Sequence, residues 1–104
     1  MNVASVVTTT VDSADGAESL ARGIVEARLG ACVQIVPIRS VYRWDGEVRV
    51  DDEWQCVVKT SATRVDELVA HIKAHHSYDV PEVVVTPVVG GNEAYLDWVS
   101  EETS

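Results

Sequence analysis

An α+β sandwich of the split-βαβ type, with a long central hairpin, is the fold class this sequence predicts. Three observations predict it. Stretches of strand and helix periodicity follow one another in the order βαββαβ, with a helix appended. Asp45-Gly46 stands between two long alternating runs, a strong short-range hairpin signal. Pro37 and Pro87 fall in the second and fourth strands, which that order places at the sheet edges, where a missing N–H is tolerated.

Each element has its own reason. Residues 2–10 are rich in valine and threonine, which favour extended backbone, and read as the first strand. Asp12-Ser13-Ala14-Asp15 supplies helix-start chemistry, and Asp15 with Glu18 has capping-box spacing. Ala17, Leu20, Ala21, Ile24, Val25 and Arg28 then recur at helical spacing, only the last breaking the apolar stripe, and Gly30 is the expected stop. Residues 31–44 and 47–60 form the hairpin arms. A two-residue turn at Asp45-Gly46 makes the numbers of opposing residues sum to 91. Val33 then faces Val58, Ile35 faces Cys56 and Val41 faces Val50, while Cys32–Lys59 and Tyr42–Arg49 share the other face. Pro37 is expected to mark a bulge in one arm, and Asp51-Asp52-Glu53 a charged bulge in the other.

A second helix over about residues 62–75 carries the stripe Val65, Leu68, Val69, Ile72. Residues 83–89 read as the fourth strand, closed by Gly90-Gly91, and residues 92–102 as a last helix. Right-handed crossovers and a tight hairpin order the antiparallel sheet 4-1-3-2, a ferredoxin-like arrangement occupying residues 1–104 as one domain.

Charge narrows the partners. Eight basic residues against seventeen acidic ones leave a formal charge of −9, which repels phosphate backbones and anionic membranes. No apolar run is long enough to span a bilayer, and the first residues lack the basic start and apolar run of a signal peptide. Two cysteines, Cys32 and Cys56, are too few for a disulfide framework, so a cytoplasmic location is expected.

The hairpin also predicts assembly. Each arm is roughly 45 Å long at ~3.3 Å per residue, whereas the first helix covers about 25 Å at ~1.5 Å per residue. Val41, Tyr42, Trp44, Val48 and Val50 therefore project beyond the helices that would bury them. A second copy of the chain is the natural cover; a twisted ribbon in solvent, with Arg39, Arg43, Glu47 and Arg49 outward, is the alternative. The sheet face opposite the helices, with Cys32, Gln34, Val36, Val57 and Lys59, suits a subunit contact, and a closed ring is the expected form.

Candidate chemistry is sparse. His71 and His75 lie one helical turn apart, close enough for two imidazoles to share an ion, but no glutamate follows His71 as a metalloprotease motif requires. The helix dipole alone also favours histidines there. Cys56 faces the helices as a small core residue; Cys32 lies across from Lys59, whose ammonium would lower a thiol pKa. The run His76-Ser77-Tyr78-Asp79-Val80-Pro81-Glu82 either lines a cleft or forms a capped turn with Tyr78 on the core. No phosphate loop, nucleophile elbow or triad context occurs, so no enzyme is expected.

Several segments together carry a resemblance. Ala31-Cys32-Val33, Ser40 through Gly46, Lys59-Thr60, His76 through Glu82 and Tyr95-Leu96-Asp97-Trp98, in this order and spacing, resemble the CutA divalent-cation tolerance family over nearly the whole chain. The resemblance implies a homotrimer whose hairpins wrap neighbouring subunits. It also implies intersubunit clefts lined by Cys32, Trp44, Lys59, Tyr78, Glu82, Tyr95 and Trp98. It implies no required cofactor, with copper or another divalent cation as the ion bound, and His75 and His76 with a thiol ending strand 1 as the ligands. Here strand 1 ends Thr8-Thr9-Thr10, without a thiol, and Ser77 replaces the usual proline. The rival reading is a trimeric signalling or adaptor protein holding a small anionic ligand in the same clefts, with Lys59 as its contact.

Overall fold

The structure, a computed structural model, describes residues 3–104; the predicted strand start at Asn2 lies outside the described residues. The elements are β1 (Ala4–Val11), α1 (Ala14–Glu26), β2 (Cys32–Trp44), β3 (Glu47–Ser61), a 3-10 turn (Ala62–Arg64), α2 (Val65–His75), β4 (Val83–Pro87) and α3 (Glu93–Glu102). They build one antiparallel sheet in the order β2-β3-β1-β4, the predicted ferredoxin-like topology. Pro37 and Pro87 lie in the two edge strands, as expected.

The hairpin register is the predicted one from end to end. Cys32 pairs with Lys59, Val41 with Val50 and Trp44 with Glu47. Asp45 and Gly46 both take positive φ, 52° and 77°, as a two-residue turn matched to strand twist requires. Neither expected bulge forms. Pro37 pairs with Trp54, and Asp51, Asp52 and Glu53 face Ser40, Arg39 and Ile38 without a slip. Because β2 is an edge strand, Pro37 can present its missing donor outward and leave the ladder intact.

The ends of α1 correct two expectations. The N-cap is Ser13, whose extended backbone lets Oγ accept from Gly16 N at 3.0 Å. Glu18 instead pairs with Arg22 at 3.3 Å on the helix surface. The helix stops at Glu26, well before Gly30. Arg28 takes the left-handed conformation at φ 60°, with Arg28 N donating to Val25 O and Leu29 N to Ile24 O. That is a Schellman ending, closed by Leu29 and Ile24 in the core. Gly30 serves close packing: a Cβ there would sit 2.6 Å from Val58 Cγ1 and 2.9 Å from Ile24 Cγ2.

The core lies between the sheet and the pair α1 and α2. Val7, Ile24, Cys56, Val58, Leu68 and Ile72 are fully buried, consistent with burial pushing the Cys56 thiol pKa up. Two departures matter for function. β4 ends at Pro87, earlier than the predicted residue 89, with Pro87 paired to Ser5 and Val88 N still donating to Ala4 O at 3.0 Å. The helices do not all cover one side. α3 packs on β1 and β3, and its Thr103 shares a hydrogen bond with Ser61, which alternates to the face opposite Cys56 and Val58. The end of the otherwise open face is therefore closed by α3, whose last carbonyls accept from Arg28 and Arg64.

Candidate functional site

The open face is built by alternation. In-register pairing puts the even-numbered residues of β2, from Cys32 to Trp44, beside the odd-numbered residues of β3, from Glu47 to Lys59. All seven expected cleft residues belong to this side of the molecule, but they divide into two groups. Cys32 and Trp44 are twelve residues apart in β2, roughly 40 Å at ~3.3 Å per residue. One chain cannot join them.

At the α3 end stand Cys32, Lys59, Tyr95 and Trp98. Tyr95 and Trp98, neighbours on α3, have ring centres 5.6 Å apart. Tyr95 meets Cys32: burial first, then the charge and hydrogen bonding of that thiol, raise the Tyr95 hydroxyl pKa. Lys59 lies across from Cys32 as expected, but its ammonium donates to the Gln34 side-chain carbonyl rather than serving the thiol. Gln34 was placed on this face from the sequence but not as a partner of Lys59. The diagonal neighbours of one sheet face, once the register is known, are the signal that finds it.

At the hairpin end, Trp44, Tyr78 and Glu82 line one cavity of about 360 Å³ together with Tyr42, Arg49 and Glu53. Asn92 caps α3 locally, whereas the 76–82 segment is shaped by one local bond, from Tyr78 N to His76, and by two long-range ones. His76 Nε2 lies 2.8 Å from Thr10 O and Nδ1 accepts from Tyr78 N at 3.1 Å, so the ring is a neutral Nε2–H tautomer clamped at both nitrogens. His76 and Tyr78 rings pack 4.7 Å apart. The Tyr78 hydroxyl then donates to Glu53 Oε2 at 3.0 Å. Burial, followed by that hydrogen bond and the Glu53 charge, raises the Tyr78 pKa well above the ordinary tyrosine value. Tyr42 donates to Asp51, the main cause of its own raised pKa. Tyr78 is thus part of a cleft wall and not simply a turn residue on the core. Arg49 and Glu53 were read from the sequence as a cross-strand partner of Tyr42 and part of a charged bulge, not as cleft residues, because a charged side chain on a long strand has many solvated counterparts.

The metal expectation fares differently. A shared ion at His75 and His76 needs a lone pair from each ring, and His76 has none left. The two adjacent histidines therefore do not fit as one ligand pair. His75 instead donates Nδ1–H to His71 O at 2.8 Å, and its ring lies 4.2 Å from that of His71 at 26°. Burial, then the neighbouring His75, lowers the His71 pKa. Among the described residues no three His, Cys, Asp or Glu side chains gather for an ion, and no helix is long and apolar enough to cross a membrane.

Comparison with known proteins matches this architecture. The family described as CutA1 divalent ion tolerance protein matches residues 5–102. A divalent-cation tolerance protein CutA of Thermus thermophilus is 48% identical over 94% of this chain and 96% of its own length. The chloroplastic protein CutA of Arabidopsis thaliana is 43% identical over 94% of this chain; the chain spans 54% of that protein and 56% of the rice chloroplastic relative. Among solved structures, the Thermus thermophilus protein superimposes with a TM-score of 0.93 at 46% identity, covering 97% of this chain and 99% of its own. CutA1 of Oryza sativa gives 0.95 at 43% identity, covering 99% and 95%. A protein described as periplasmic, from Archaeoglobus fulgidus, gives 0.94 at 33% identity, covering 97% and 99%. With its topology, its hairpin and nearly all its length matched, this chain belongs to the CutA1 divalent ion tolerance family.

Proposed function

We propose that the protein works in the cytoplasm as a homotrimer of the divalent-cation tolerance type, responding to copper or another divalent cation and carrying its ligand clefts between subunits. One observation carries the assembly: the cleft residues sit at opposite ends of one sheet face, too far apart to meet within a chain. A neighbouring copy supplies the missing half. The Trp44–Tyr78–Glu82 end of one subunit would meet the Cys32–Lys59–Tyr95–Trp98 end of the next. The exposed hairpin agrees, since Val41, Val48, Val50 and Trp44 are 67%, 64%, 56% and 49% exposed. The relatives named for divalent-cation tolerance, and the net charge of −9, support a cationic ligand. No catalytic arrangement is proposed; the clefts bind. Sedimentation equilibrium at micromolar concentration tests the assembly against three chains of 11.3 kDa each. Calorimetry with Cu(II) and Zn(II) tests the ion. A stable lone protomer removes the clefts, and heatless titrations with both ions remove the metal.

A second reading has one observation in its favour. Lys59 is held on the open face by a neutral amide, with Cys32 and two aromatic rings nearby, a setting that suits a small anion. In that case a metabolite panel gives a thermal shift that Lys59→Ala abolishes.

A further inference from the structure

The structure offers a cation site that the adjacent His75–His76 pair does not. His71 and His75 occupy one face of α2, a single turn apart, with near-parallel rings 4.2 Å between centres. Two imidazoles on one ion, with metal–nitrogen bonds of about 2.0–2.1 Å, place their ring centres roughly 4.5–5.5 Å apart. The stacked rings are close enough to share an ion once they turn about their side-chain bonds so that one nitrogen of each converges on it.

The protonation pattern is suitable too. His75 spends its Nδ1–H on the His71 carbonyl at 2.8 Å, which directs the lone pair of the neutral ring to Nε2. A backbone carbonyl behind the non-ligating nitrogen is the usual outer support of a metal-bound histidine. His76, by contrast, is consumed at both nitrogens.

There is also room. Both rings line a cavity of about 560 Å³ between α1 and α2, whose α1 wall is kept low by Gly16, Ser19 and Gly23. A Cβ on Gly23 would lie 3.8 Å from His71 Nε2, so the imidazole faces that wall directly. Asp12 stands on the same cavity's lining and adds negative potential.

We infer that His71 and His75 bind one divalent cation of the imidazole-preferring class, Cu(II), Ni(II) or Zn(II), through two nitrogens in the cavity between α1 and α2. Two protein nitrogens leave the other positions to water, so the site is open and exchanging, as suits a response to ion concentration. A hard cation such as Mg(II), which prefers oxygen, is not retained. The inference rests on the metal-binding part of the proposed function but assigns it to residues outside the intersubunit clefts.

The test is calorimetry and pulsed EPR with Cu(II) on the full chain and on His71→Ala, His75→Ala and His76→Gln, each checked for native mass and circular dichroism. His75 is exposed, and His71 is half-buried but outside the core cluster, so their variants are expected to fold. Expected are losses in affinity on the order of tenfold or more for His71→Ala and for His75→Ala. His76→Gln is expected to bind as the parent protein does. Imidazole nitrogen modulation should fall from two rings to one in either alanine variant. Parent-like binding in both alanine variants overturns this site while leaving the metal reading standing. Loss confined to His76→Gln does the same, and no Cu(II) binding by the parent protein overturns both.

Discussion

Thr9 is fully buried in β1, and its Oγ1 finds no hydrogen-bond partner among the described residues. A hydroxyl withdrawn from water without a partner costs about 1–3 kcal/mol. Valine has nearly the same shape without that oxygen, so Thr9→Val should raise the free energy of unfolding by about 1 kcal/mol, measured by urea denaturation. A loss of stability would mean that the hydroxyl is bonded after all. Tyr78 gives a pH signature. Its hydroxyl pKa is raised in the folded protein above the ordinary value of about 10. The associated stability is therefore complete below pH of about 10 and is lost as pH rises toward the folded value. Unfolding free energies of the parent protein and Tyr78→Phe should differ by a constant amount up to that pH and converge above it. Both residues show how little a residue type discloses alone. Thr9 and Thr8 look alike in sequence, yet only Thr9 alternates onto the helix side.

At the scale of elements, the ends of α1 show which local signals decide. Ser13 and Asp15 both have N-cap chemistry, and the serine prevails because its backbone at φ −149° and ψ 153° is already extended. Ser13→Ala should therefore lower stability by about 1 kcal/mol, whereas Asp15→Ala, inside the first turn, should cost less than half of that. Thermal unfolding of the two variants distinguishes them. The hairpin is the element that sequence describes best. Its turn chemistry, its alternation and its two edge prolines all specify one register, and the ladder follows it through both suspected bulges. The 76–82 segment was less legible. His76, Tyr78 and Glu82 were visible as a dense run of polar and aromatic types, but the choice between cleft and capped turn depended on Thr10 and Glu53, residues far away in the chain.

For the whole molecule, shape follows from the hairpin. The longest dimension is 45 Å against 25 and 21 Å, because β2 and β3 run on beyond the helices. Replacing Val41 and Val50, an exposed cross-strand pair on the distal arm, by glutamate should leave each protomer folded and break the proposed trimer. The expected result is a native circular dichroism spectrum with a sedimenting mass of one chain; an undiminished trimer would show that this part of the hairpin is not buried by a neighbour. The same double variant should lose any ligand of the intersubunit clefts but retain Cu(II) binding at His71 and His75, which lie on the opposite, helical side.

Periodicity, turn chemistry and proline placement determined the strands, their order and the hairpin register, because each is a rule about neighbours in the chain or about a two-residue repeat. Those rules also put Cys32 and Lys59 on one face of the sheet. Only the tertiary structure decided that α3 closes the end of that face, that the cleft residues divide between its two ends, and that His76 is spent on Thr10 and Tyr78 while His75 bonds the His71 carbonyl through Nδ1. The physical reason is that a hydrogen bond across 66 residues depends on where packing carries both partners, and no spacing in the sequence encodes that distance.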